Sequence, residues 1–198
     1  RRSSDLKIQL QENPIYHYDV INLGTKKIGY LVYNAFLSDY ESALNNVFGY
    51  FKGQGITHLI VDLRYNSGGS VATATRLASM ITGQFSGQVF AKQQWNPKLQ
   101  NYLLQNNPST LNNLFTTTLS NGGAIQSLNL AKVYILTAKG TASASELLIN
   151  GLKPYINVVQ IGDVTTGKNV GSVTLYDSPN FTKNQINPNH NYAMQPIV

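Results

Sequence analysis

Residues 162–169, GDVTTGKN, carry the spacing G-x-x-x-x-G-K, in which backbone amides cradle a phosphate and the lysine neutralises it. A phosphate loop also needs Ser or Thr after the lysine to hold Mg²⁺, and must run from a strand into a helix whose N-terminus receives the anion. Here Asn169 follows the lysine, and the next stretch, VGSVTLY, places Val, Thr and Tyr around a glycine and reads as a strand. A nucleotide site is thereby excluded, and Lys168 needs another role. Twenty-five residues upstream, TASASE sets Ser143 just after the strand-like run KVYILT and at the start of a helical run. A serine there sits beside unpaired backbone amides that can stabilise an oxyanion. Ser143 and Glu146 also spell S-x-x-E, the capping box, so taken alone the pair reads as a helix cap or as a nucleophile with an acidic neighbour.

The elements around these residues follow from hydrophobic period. IYHYDVINLGTKKIGYLVYNAF predicts a hairpin turning at Asn22 to Gly24, and Ser38 with Glu41 predicts a capping box opening an amphipathic helix up to Gly53. HLIVDL predicts a strand, RYNSGGS a glycine-rich turn, and Val71, Ala74, Leu77, Ala78 and Ile81 a second helix ending near Gly83. Residues 84–130 are rich in Asn and Gln, with weak helical spacing around Leu99 to Leu104, and read as an insertion or flap. The strand KVYILT, a helix from Ser143 to Lys153 and the strand NVVQIG complete an α/β layered pattern.

With 198 residues, 42% hydrophobic and 12% charged, the chain predicts one well-packed domain, residues 15–198, preceded by a polar linker over residues 1–14. No apolar run approaches the roughly 18 to 20 residues of a membrane span. The absence of cysteine excludes disulfides and thiolate metal sites. The net charge of +6 comes from scattered lysines, with Lys26-Lys27 the longest run after Arg1-Arg2, and reads as a solvated surface without a nucleic-acid partner. His17, His58 and His190 lie in or beside predicted strands and read as packing or surface residues. The S-x-x-K string from Ser4 to Lys7 falls in the tail, where neither residue is fixed, and no G-x-S-x-G elbow occurs.

HLIVDLRYNSGGS, TASASELLINGL and GDVTTGKNVGS together resemble the S41 family of serine peptidases, the C-terminal processing and tricorn-like proteases. Three ordered motifs carry the likeness: D-L-R-x-N-x-G-G at 62–69, S-A-S-E at 143–146 and G-K at 167–168. The resemblance implies an α/β fold of the ClpP/crotonase-like type, a spiral ββα core. It implies Ser143 as nucleophile, Lys168 as general base, Glu146 as an acid that helps position the lysine, and Ala144 with Gly68 or Gly69 as oxyanion-hole amides. Asp62 and Arg64 are expected to organise the glycine turn. Pro154 stands where other members place a further acid, and Ser145 is the nearest wrong candidate for the nucleophile.

Such a site hydrolyses peptide bonds through an acyl-enzyme, takes a polypeptide substrate and needs no metal, nucleotide or other cofactor. A lysine accepts a proton only when neutral, so Lys168 is expected to point inward into a partly dry site. Family members process or degrade envelope proteins, which implies an extracytoplasmic place, periplasm or cell envelope, with membrane contact only through a segment absent from this sequence. A start in polar residues and a stop in NYAMQPIV, where a strand has just begun, read as a core trimmed at both ends. A catalytically silent peptide- or ligand-binding protein on the same fold is the alternative.

Overall fold

The computed structural model describes residues 11–197, so most of the expected linker, with the Ser4 to Lys7 string, lies outside the described residues. The alternating hairpin forms as β1 (Ile15–Leu23) and β2 (Lys26–Tyr33), antiparallel about Gly24. α1 (Glu41–Gln54), β3 (His58–Asp62) and α2 (Val71–Thr82) follow. After a long excursion come β6 (Lys132–Thr137), α4 (Ala144–Leu152) and β7 (Asn157–Gly162); the excursion itself holds β4 (Val89–Lys92), α3 (Pro97–Asn106) and β5 (Asn112–Leu114). β8 (Leu175–Tyr176) and β9 (Ala193–Met194) make a small antiparallel pair near the end.

The main sheet runs β1-β2-β3-β6-β7, and every pairing after the first is parallel. Period-2 alternation sets its faces: Leu31, Tyr33, Leu59, Val61, Val133 and Ile135 are fully buried, whereas Tyr30, Val32, Ile60 and Tyr134 between them are only half-buried. α1, α2 and α4 lie side by side, and Leu44, Phe48, Phe51, Leu77, Leu148 and Leu152 complete the core. The layered α/β fold expected from the sequence is therefore the fold observed.

Three local expectations need correction. Ser38 does not cap α1; residues 38–40 form a 3-10 turn without a side-chain cap. Glu41 is instead buried between elements, accepting from Thr73 Oγ1 (2.9 Å), Ser120 Oγ (2.6 Å) and Arg76 Nη1 (3.2 Å). VGSVTLY is extended but contributes only Leu175 and Tyr176 to a strand. Residues 84–130 are more firmly anchored than a bare insertion. Gly151 of α4 leaves the space that the Phe90 ring fills, Phe115 meets Tyr155 edge-on at 4.8 Å, and Asn45 of α1 clamps Ala124 O and Gln126 N. What projects is α3, which buries none of its residues.

Candidate active site

The three motif segments meet at the C-terminal ends of β3, β6 and β7, the end of an open parallel sheet where loops gather ligands. At the end of β3, Asp62 is 1% exposed and takes Arg64 through Nη2 (2.6 Å) and Nε (2.9 Å), with the Tyr30 hydroxyl at 2.8 Å. Burial pushes its carboxyl up, but these hydrogen bonds outweigh it and hold the group below the usual carboxylate range. These bonds tie Asp62 to Arg64 and Tyr30 at the strand end, and none of them reaches the glycines of the turn.

Asn66, part of the quoted motif but given no role from the sequence, is the hub of that turn. Fully buried, it donates Nδ2–H to Tyr33 O (2.9 Å) and accepts from Gly68 N–H at Oδ1 (2.9 Å). Its carbonyl accepts from Ala142 N–H (3.2 Å) and Ser145 Oγ–H (3.0 Å), tying the glycine turn to the loop that carries Ser143. An Asn two residues before Gly-Gly is the turn-forming signal that pointed to it. Ser145, buried and committed to that carbonyl, is not placed to attack a substrate.

Ser143 caps the N-terminus of α4 with φ 57° and ψ −116°, a conformation that costs a non-glycine residue on the order of 1–3 kcal/mol. Gly68, at φ 111°, makes room for it: a Cβ there would sit 2.7 Å from Ser143 Cβ and 2.9 Å from Ala142 O. Because Gly68 N–H is already given to Asn66, the two expected glycine amides are not equivalent. Gly69 N–H and Ala144 N–H have no acceptor among the described residues, while Gly69 is held in place by a bridge to Phe36.

Glu146 is the most heavily used side chain of the site. Its Oε2 accepts from Ser143 N–H (2.8 Å) and Lys168 N–H (2.9 Å), and its Oε1 from Gly167 N–H (2.6 Å) and Thr165 Oγ–H (2.7 Å). Burial raises its pKa, yet these four donors more than offset that and hold it below the usual carboxylate range. The carboxylate closes the helix cap on the Ser143 amide and pins the Lys168 loop to the same point. It holds the backbone of Lys168, not its amine. Lys168 itself is exposed, contrary to the inward-pointing lysine expected. Ser143, Ala144, Leu147, Lys168, Val170 and Val71 line one cavity of about 310 Å³.

The site thus gathers a strained serine at a helix N-terminus, the Ala144 amide and a lysine on one cavity, with the unpaired Gly69 amide on the adjoining glycine turn. The chain belongs to Peptidase family S41, whose model matches residues 27–182 and so includes all the motif residues named above. A probable CtpA-like serine protease of Staphylococcus epidermidis is 26% identical over 174 residues, covering 88% of this chain and 32% of the relative; its Staphylococcus aureus counterpart is 24% identical. The chain thus spans about a third of the length of these curated relatives. A Bacteroides fragilis structure carrying an S41 protease designation superposes with TM-score 0.73 at 31% identity, over 87% of this chain and 44% of the other. The photosystem II D1 C-terminal processing protease shares the fold, with TM-score 0.59 at 20% identity over 84% of this chain and 40% of its own.

Proposed function

We propose that this chain is the catalytic core of a serine endopeptidase acting through a Ser143/Lys168 dyad. The observation that carries the reading is the backbone of Ser143, held in a strained conformation beside Gly68 with the amides of Ala144 and Gly69 unpaired. Ser143 Oγ attacks the peptide carbonyl as its proton passes to the Lys168 amine, and the carbonyl oxygen becomes an oxyanion accepted by the two amides. Collapse breaks the C–N bond, Lys168 returns the proton to the leaving amine, and water releases the acyl group from Ser143. Known oxyanion donors contribute about 3 kcal/mol each to such a step. Glu146 is a positioning residue, fixing Ser143 and the lysine loop by backbone hydrogen bonds. A substrate chain lying in the cavity covers Lys168 and supplies the dry surroundings that the neutral amine requires. Envelope proteins or peptides, met outside the cytoplasm, are the substrates carried over from the family.

The exposure of Lys168 is the one observation that favours a second reading, a groove that binds peptides without turnover. Casein digestion followed by mass spectrometry separates the two. Cleavage by the chain, lost in both Ser143→Ala and Lys168→Ala, is the expected result. Cleavage that survives Ser143→Ala refutes the dyad, and absence of cleavage by the unaltered chain favours the binding reading.

A further inference from the structure

The cavity over Ser143 continues past Lys168. It shares Val71, Asn169 and Gly171 with a second cavity of about 510 Å³, bounded on one side by Lys92 to Trp95, the run that leaves β4, and on the other by Asn169 to Val173. The charge of the second cavity is one-sided. No acidic residue lines the second cavity, and exposed Lys92 has no carboxylate in ion-pairing reach among the described residues. In the first cavity the single carboxylate, Glu146, is bonded to three backbone amides and a hydroxyl, and no ion pair joins it to the Lys168 amine among the described residues. The two lysines present positive charge to any occupant, and the remaining polar lining, Gln93, Gln94, Asn169 and Ser172, adds side chains able to donate hydrogen bonds. Trp95 supplies an apolar wall, and its indole N–H is buried without an acceptor, which favours a state in which one is supplied.

We propose, resting on the peptidase reading above, that the second cavity is a substrate subsite for an acidic side chain near the scissile bond. Lys92 meets the carboxylate, and Trp95 packs against the methylenes. The chain contains one tryptophan, so tryptophan emission, excited selectively over the twelve tyrosines, reports on the surroundings of Trp95. The test titrates alanine-based peptides that carry a single Glu or a single Lys, moved along the peptide, into the Ser143→Ala protein, where binding proceeds without turnover. At one position the Glu peptide is expected to shift Trp95 emission saturably and to bind about fivefold more tightly than its Lys twin, the scale of an exposed ion pair. Lys92→Glu, a surface change expected to leave the melting temperature in place, should reverse that order. Equal affinities, an order unmoved by Lys92→Glu, or no emission change at any position overturns the subsite, whatever the casein result. If casein is not cut but the order holds and reverses, the dyad fails and the acidic subsite stands as part of a peptide-binding groove.

Discussion

Replacing Glu146 by glutamine keeps the shape of the side chain and removes one acceptor from a position where all four donors need one. If the amide NH₂ takes the place of Oε2, it faces the N–H groups of both Ser143 and Lys168. If it takes the place of Oε1, it faces Gly167 N–H, and only the Thr165 hydroxyl can turn to accept from it. The second arrangement is the less costly. It orphans one backbone amide, at about 1–3 kcal/mol, and weakens two charge-assisted bonds to neutral ones, so the loss is about 3 kcal/mol. For a domain of this size that corresponds to a fall of roughly 6–12 °C in melting temperature. The exposed loop at residues 163–168 can let go before the core unfolds, so part of the loss should appear as faster hydrogen exchange at Gly167 and Lys168. The pH dependence fixes the sign. The folded carboxyl titrates below its unfolded value, so its contribution is complete above about pH 4.3 and is lost as the pH falls through the folded pKa. Glu146→Gln should therefore melt well below the unaltered protein at neutral pH, and the gap should narrow as the pH falls below about 4.3. Equal melting temperatures at neutral pH, with unchanged exchange at Gly167 and Lys168, would refute the role assigned to this carboxylate.

Gly68→Ala places a methyl 2.7 Å from Ser143 Cβ at a backbone φ of 111°; urea unfolding should show a loss of about 2–4 kcal/mol, and casein cleavage should fall on the order of 100-fold. A variant that cleaves like its parent would show that the turn does not set the position of Ser143. Ser145→Ala removes one buried hydrogen bond to the Asn66 carbonyl, so stability should fall by about 1 kcal/mol while cleavage stays within about twofold. Abolished cleavage in a folded Ser145→Ala protein would reverse the choice of nucleophile.

The layered core and most of its elements were legible because period speaks plainly in β2, β3 and β6, where buried residues recur at spacing 2, and in α2, whose apolar Ala74, Leu77, Ala78 and Ile81 follow helical spacing. Short polar patterns were not. The string S-x-x-E occurs at 38–41 and again at 143–146; only the second closes on its own helix, since Glu41 is drawn away by Thr73, Ser120 and Arg76 from distant elements. Residues 84–130 hid their anchoring because it depends on isolated Phe90, Phe115 and Leu119 in an Asn- and Gln-rich stretch without period. Ser143, Glu146 and Lys168 were marked by motif, and the structure brings their segments together. The exposure of Lys168 was not legible, because burial of a loop lysine depends on what stands opposite it.

The order of the parallel strands bears on the making of the protein. The glycine turn leaves β3, the serine loop leaves β6, and the lysine loop leaves β7, so the parts emerge from the ribosome in that order. β6 must return to β3 across the whole of residues 84–130 before the first two parts meet, a slow, non-local closure. On the Ser143/Lys168 reading proposed above, a nascent chain in which β7 has not yet docked on β6 holds the serine and the glycine turn but lacks its proton acceptor. On that reading, the order of the strands would keep the site inactive towards the chain's own unfolded segments, and towards neighbouring nascent chains, until the last parallel strand is in place.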